Sequence, residues 1–573
     1  MRKKMPGFSI SGAYTAFLII FIVLMTAWLG RTTCYINAWP SDSAASYIPT
    51  AAKLFEMRFF SQMHDLHLHG LSRLNMRGKE ALIVDIAILQ RILGDTESLY
   101  PNILLLILSC GLSSGLLFLI FKKFFNATAG FVAFVLFAFS FWPYMYVLLG
   151  AHQPLVLCNF LLSFFFLQRA GPRRVYLFLG GLFFGLTFFS SPTAIMYMPY
   201  YGLLLLADHQ DFRLSRVFSK KTGQGFLFFF AGLAGVLLAF TLPRPLESLK
   251  MFIIYVFLSR GGNHFQYYAD YLSRFFAVPA FLRGGGWLWI FKYFTLTMPI
   301  LFAACGVSMA YLLTRSSKPR RTFMLVLLGL STPLAVEIIQ VAQFGRNYFS
   351  WFFGMIFLLC AAVGCYMNNH APFVWKKHKV FSVSLAVFLL CHVVFNARVF
   401  FKDILPSRLA TTYAYEWLRE RNIGQVLVYQ DHHSNTFAAD VLNNPKSPVK
   451  IEFRGIRSFL QARTGYILLP GISGTTIWQD CSRDPFTGDP PLQGIIAAGL
   501  LPECAAARFP TVASSRYWPQ EEEVCTYRDL MLGQVSEQTR RLSEIYILDV
   551  ACLRKVYFEQ VLKNREEGEH DEK

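Results

Sequence analysis

The chain has 573 residues, of which 54% are hydrophobic, 16% aromatic and only 16% charged. Soluble domains carry about 25% charged residues, so this composition excludes an ordinary soluble enzyme and points to a polytopic membrane protein. The formal charge of +19 is no nucleic-acid footprint, because Lys and Arg gather in short loops between apolar runs.

A membrane span needs about 20 apolar residues, fewer in a hairpin that does not fully cross. Eleven stretches qualify, near 14–30, 102–121, 128–149, 154–168, 175–190, 192–206, 225–242, 288–313, 322–342, 350–367 and 380–397. The basic start MRKK before the first run resembles a signal peptide, but no small-residue cleavage site follows, so it reads as a retained anchor. Ser190, Ser191 and Pro192 break one long run into two spans. Two spans are required if Lys122/Lys123, Arg169/Arg173/Arg174, Arg213/Arg216/Lys220/Lys221, Arg315/Lys318/Arg320/Arg321 and Lys376/Lys377/Lys379 are all to lie on one side. The opposing turns at 150–153 and 190–193 have no Lys or Arg, and the one at 343–349 has only Arg346. The positive-inside rule then sets the N-terminus in the cytoplasm and the C-terminus outside. The expected location is the plasma membrane, in a bacterium the inner one, with membrane lipids as surroundings.

Two outside loops are long, 31–101 and 243–287. The first holds "SYIPTAAKLFEMRFF", with Thr50, Lys53 and Glu56 as a polar face, and "EALIVDIAILQRILG". Both predict amphipathic helices lying along the membrane surface. The chain thus divides into a membrane domain, 1–402, an extracytoplasmic (periplasmic) α/β domain, 403–560, and a charged disordered tail, 561–573. In the second part "AYEWLRERNIGQVLVYQD" reads as helix, turn and buried strand, with further strands at "VKIEF" and "GYILLPG". Cys481, Cys504, Cys525 and Cys552 would pair in an oxidising compartment and otherwise pack as thiols.

The order of these features resembles the GT-C superfamily, membrane glycosyltransferases that use polyprenyl-phosphate sugars, such as the protein O-mannosyltransferases and the lipid A aminoarabinose transferases. One span is followed by an outside loop with an acid before an amphipathic helix, then by a second surface helix ending in "ILG". "GGLFFGLTFFSSPTAIMYMPYYGLLLL" is similar to the family's G-L-x-x-G-L…P-T-x hairpin, and "FGRNYFSWFFGMIFLLCAAVG" to its Arg-plus-aromatic turn before a late span. The resemblance covers roughly residues 10–400. It implies an inverting transferase that moves a sugar from a polyprenyl-phosphate donor to a lipid, glycan or protein acceptor on the outer face.

Asp42 is the expected base, since a positioned carboxylate can take the acceptor hydroxyl's proton as it attacks the anomeric carbon. A helix-capping role, shared with Ser41, is the alternative, weakened by Pro49 seven residues on. Many members have two adjacent acids here, whereas this chain has Ser43 second. Where a further acid is common after the third span, "LLGAHQPLV" offers His152 and Gln153, and His152 would hydrogen-bond a sugar or assist proton transfer. Arg346, isolated in an apolar turn, and Lys79, in "NMRGKEAL", are expected to hold the lipid phosphate. In the 243–287 loop, Arg260, His264, Tyr267, Tyr268 and Asp270 are candidates for donor or acceptor contacts, and the flanking glycines would let the loop close. His64, Asp65, His67 and His69 form a ligand set for a divalent metal such as some members use, or a solvated loop.

The sequence has no phosphate-cradling P-loop, no dinucleotide glycine fingerprint and no zinc-type cysteine pairs, which argues against nucleotide sugars as donors. A lipid or glycan transporter, or a scaffold with a docking module, is the rival from another class; it should show intramembrane charges or repeated halves. A ligase moving whole glycans would share the same face and chemistry.

Overall fold

The computed structural model describes residues 47–54, 79–96, 100–148, 150–170, 173–202, 204, 220–241, 294–295, 298–315, 323–331, 349–369, 375–401, 410–429, 449–454, 464–470, 503–509 and 545–556. The expected span at 14–30 and the tail at 561–573 lie outside them. Among the described residues, three helices are long and apolar enough to cross a membrane, Tyr100–Phe124, Phe349–Asn368 and Val380–Val399, and shorter apolar helices stand beside them.

Two short helices come first, α1 (Ile48–Lys53), with Pro49 in its first turn, and α2 (Glu80–Leu93). Helix α2 ends on Gly94 in the left-handed conformation at φ 66°, as "ILG" foretold. Their apolar sides pack into the main core through Ile48, Ala51, Leu82, Ile83 and Ile86. Thr50, expected on a polar face, is completely buried.

Helix α3 (Tyr100–Phe124) follows, closed by Lys122 and Lys123 at its negative C-terminal end. In its apolar interior Ser109 and Ser114 donate to the carbonyls four residues back, at 2.8 and 2.9 Å. The stretch expected as one span at 128–149 is two helices, α4 (Ala127–Ala138) and α5 (Phe141–Leu148). Asn126 caps α4 by accepting from the Ala129 N–H at 2.9 Å.

The α4–α5 break is held from the side by α11 (Trp375–Val399). Asn396 Oδ1 accepts from Ser140 Oγ at 3.2 Å and from the Phe141 N–H at 3.1 Å, while the His392 ring lies 3.3 Å from the Leu136 carbonyl oxygen. Broken backbone in hydrocarbon must find such partners within the protein.

Helices α6 (Gln153–Arg169) and α7 (Arg174–Ser190) come next. Ser191 is extended, and residues Pro192–Tyr201 wind as a 3-10 helix rather than as an α-helical span. Helix α8 (Lys220–Thr241) lies directly against α7. A Cβ on Gly181 would collide with the Phe229 carbonyl, and one on Gly232 with the Phe178 carbonyl, so paired glycines let the two backbones touch. Helices α9 (Pro299–Arg315) and α10 (Phe349–Asn369) follow, with a further helical segment at 323–331.

Within the apolar window of α10, 83% is buried, against 17% for that of α11. Val380, Val383, Val387, Leu390 and Val394 form an exposed stripe on α11 at alternating three- and four-residue steps, opposite buried His392 and Asn396. That stripe is the lipid-facing side of a peripheral span. Inside, aromatic rings fill the core: Phe160 stacks on Tyr197 at 4.9 Å and meets Phe353 edge-on at 5.8 Å.

Helix α12 (Ala410–Glu420) precedes β1 (Gln425–Tyr429), β2 (Lys450–Arg454) and β3 (Tyr466–Pro470), as the sequence predicts. Strands β4 (Ala505–Phe509) and β5 (Ile545–Asp549) were not anticipated. The sheet order is β2-β1-β3-β5-β4, with β1 parallel to β2 and β3, and β5 antiparallel to β3 and β4. Ala414 and Leu418 of α12 bury against Val426, Val449 and Ile547. Cys504 and Cys552 form a disulfide with their Cα atoms 5.5 Å apart, while Cys481 and Cys525 lie outside the described residues.

The α7–α8 contact leaves no room for a side chain, so Gly181→Leu is expected to cost about 1–3 kcal/mol, seen as earlier unfolding in detergent. The disulfide closes a separation of 48 residues. Replacing both cysteines with serine should cost about 2–4 kcal/mol in the sheet's unfolding, measured by denaturation of the full chain.

Candidate functional site

Contacts between helix ends sort the loops into two sets. At one end, Lys123 donates to the Gln168 carbonyl, and Gln168 donates to the Ile120 carbonyl at 3.3 Å. The Arg174 guanidinium lies 5.1 Å from the Phe228 ring centroid. Lys122, Lys123, Arg169 and Arg174 therefore share the end that the sequence assigns to the cytoplasm.

The opposite end buries polar side chains instead. Lys79 precedes α2, is 4% exposed and donates to the Tyr47 hydroxyl, with its Nζ 4.8 Å from the centroid of that ring. Tyr47 itself is 1% exposed. A buried ammonium is tolerated only when hydrogen-bonded or paired, and the phenol supplies both a lone pair and a ring face. Glu80 follows, buried in the first turn of α2, where the helix dipole favours an acid. Gln90 clamps α1 to α2 by donating to the Ile48 carbonyl at 3.2 Å and to the Thr96 carbonyl at 3.3 Å.

A tight turn joins α5 to α6. Gly150 takes φ 64°, and the Ala151 N–H returns to the Tyr146 carbonyl at 3.0 Å. Asn102, in the first turn of α3, donates to the Gly150 carbonyl at 3.1 Å and so pins the turn. His152 caps α6 with its carbonyl, which accepts from the Leu155 and Val156 N–H groups at 3.1 Å. Both His152 and Gln153 are 5% exposed, so this turn points inward rather than into solvent. Behind it Asn159 donates to Ser190 at 2.9 Å, and Ser350 lies 3.4 Å from Met196 Sδ.

Asp85 is half-buried on α2, between Ala81 and Val84, which pack on Phe189, Val236 and Phe240, and apolar Leu89. Burial pushes its carboxyl from 3.8 up to about 7.

Of the residues expected from the sequence, Lys79 and His152 are described, and both fall in this buried polar end. Asp42, Arg260, His264, Tyr267, Arg346 and the set His64, Asp65, His67 and His69 lie outside the described residues. Among the described residues no three His, Cys, Asp or Glu side chains converge on a cation site. Sequence reasoning missed Tyr47, Asn102 and Asp85. Asp85 was legible as an acid within the apolar run "ALIVDIAIL"; the partner of Lys79, 32 residues away, was not.

Residues 85–238 match the family model of the dolichyl-phosphate-mannose-protein mannosyltransferases. No curated protein matches the chain in sequence. Among solved structures, an oligosaccharyltransferase from Archaeoglobus fulgidus in complex with zinc and sulfate is similar over 86% of this chain and 71% of its own, at 13% identity and TM-score 0.50. The same enzyme tethered to an acceptor peptide with the NVT sequon gives 87%, 73%, 13% and 0.49. ArnT from Cupriavidus metallidurans bound to undecaprenyl phosphate gives 76%, 76%, 12% and 0.42. The resemblance to the GT-C superfamily read from the sequence stands on the family match and on the fold shared with the archaeal structure. The matched segment starts at Asp85 and contains Asn102, the Gly150–Gln153 turn, Asn159 and Ser190.

Between pH 3.8 and about 7 the folded chain keeps a proton on Asp85 that the unfolded chain has released. Stability should therefore fall as pH rises through that window. Asp85→Asn is expected to remove this slope: melting near that of wild type at pH 4, and higher by roughly 2 °C or more at pH 8, in thermal scans of purified protein.

Proposed function

We propose that this protein is an inverting glycosyltransferase that takes a sugar from a polyprenyl-phosphate donor and places it on an acceptor hydroxyl at the outer face of the membrane. The observation that carries the reading is the buried Lys79–Tyr47 pair at the polar end of a bundle whose residues 85–238 match a dolichyl-phosphate-mannose transferase family. A lysine held in a dry, apolar surround is a strong anchor for a phosphate, because the low dielectric there raises the value of each ionic contact.

In this reading the donor enters sideways from the outer leaflet. Lys79, joined by Arg346, holds the phosphate. Asp42 accepts the proton of the acceptor O–H, and the oxygen attacks the anomeric carbon from the face opposite the phosphate. The bond from that carbon to the phosphate oxygen breaks, and its electron pair leaves on the polyprenyl phosphate. No second carboxylate is needed as general acid, since the leaving group is already a stable anion. His152, in the turn beside the sugar, hydrogen-bonds it. Loop 243–287 closes over the donor through Arg260, His264 and Tyr267, and the region after 403, outside the cytoplasm, positions a lipid, glycan or protein acceptor. A divalent metal on His64, Asp65, His67 and His69 would neutralise phosphate charge.

Purified protein in nanodiscs, given a panel of radiolabelled polyprenyl-phosphate sugars and membrane extract, tests this directly. Wild type should transfer label. Asp42→Asn should lower transfer by about 10²–10⁴-fold while still binding donor. Transfer that survives this change would move the base elsewhere. Absence of any donor binding would remove the transferase reading altogether.

A further inference from the structure

The turn before α6 holds a side chain whose hydrogen-bonding groups are unfilled. Gln153 is 5% exposed, yet neither its Nε2 nor its Oε1 has a hydrogen-bond partner among the described residues. Asn102, fully buried and tied to the same turn through Gly150, likewise leaves its Oδ1 without one. Each such orphaned group costs about 1–3 kcal/mol when nothing replaces water. A chain that retains three at one turn gains if a ligand fills them.

The chemistry of the orphans narrows that ligand. A carboxamide presents a donor and an acceptor side by side, and Asn102 adds a second acceptor. A phosphate oxygen would satisfy the Gln153 N–H groups and repel both carbonyl oxygens. An ammonium would satisfy the oxygens and repel the N–H groups. A hydroxyl both donates and accepts, so it can answer either side of the Gln153 carboxamide, and a second hydroxyl can donate to Asn102. Gln153 also opens a 17-residue helix, whose positive end disfavours a cationic group there.

We infer that Gln153, with Asn102, forms a hydroxyl-reading subsite that selects a neutral, polyhydroxylated sugar on the donor over an amino sugar. This rests on the reading of the site as one for a lipid-linked sugar. Gln153 is then a specificity-determining residue, distinct from the base and from the phosphate anchors.

The test compares binding of three probes to protein in nanodiscs: a polyprenyl phosphate, its neutral hexose conjugate and its 4-amino-sugar conjugate. Wild type should bind the hexose conjugate on the order of 10-fold or more tightly than the bare phosphate, since a site built to hydrogen-bond a hydroxyl discriminates strongly. Gln153→Met, similar in shape but without the amide, should abolish that gain and leave affinity for the bare phosphate unchanged. Gln153→Glu should shift preference to the amino sugar. A wild type with no gain from the hexose, or a Gln153→Met variant that keeps it, overturns the inference. If Gln153→Met also loses the bare phosphate, Gln153→Asn decides: a lost gain with phosphate binding intact supports the subsite, and a retained gain overturns it. A wild type that reads the hexose through Gln153 but transfers none would sink the transferase reading and leave the subsite standing.

Discussion

Hydrocarbon offers a protein no hydrogen bonds, and that constraint organises this molecule more than any single contact. Among the described residues, many polar groups within the bundle are paired internally or lie near an end. Serines on α3 and α7 turn back onto their own helices. The α4–α5 break is bridged by Asn396 from a helix some 250 positions later in the chain. A lysine survives at 4% exposure because a tyrosine meets it.

The same constraint separates the two ends. At the basic rim, Lys122 and Arg169 at the ends of α3 and α6 lie over the rings of Phe118 and Phe165, one turn back in the same helices. At the other rim polar side chains turn inward, so it becomes a buried polar layer over an aromatic floor. The α4–α5 break belongs to the same design: helix α5 is short and redirected, and it delivers the Gly150–Gln153 turn against Asn102.

Packing within the bundle relies on two different devices. Between α7 and α8 glycines let the backbones meet, so attraction comes from close van der Waals contact. Around α10 large aromatic rings fill the space, with Phe353 and Phe357 meeting Tyr200 edge-on at 4.9 and 5.2 Å. The peripheral α11 combines both environments, with valines and a leucine toward lipid and a histidine and an asparagine inward.

By itself the sequence determined the membrane class, most helix positions and the clustering of basic residues at one end, because hydropathy and charge act locally and need no partner. It also marked the breaks at Ser190–Pro192 and Gly94, where backbone chemistry is intrinsic to the residue. Only the tertiary structure decided that 128–149 is two helices, since the side chain that stabilises the break is Asn396. It alone buried Thr50, joined Lys79 to Tyr47 and left the Gln153 amide unfilled. Strands β4 and β5 were likewise invisible, because a short strand such as "AAARF" is defined by the neighbour it pairs with. What a side chain meets across dozens of residues depends on how the helices pack, and no local pattern records it.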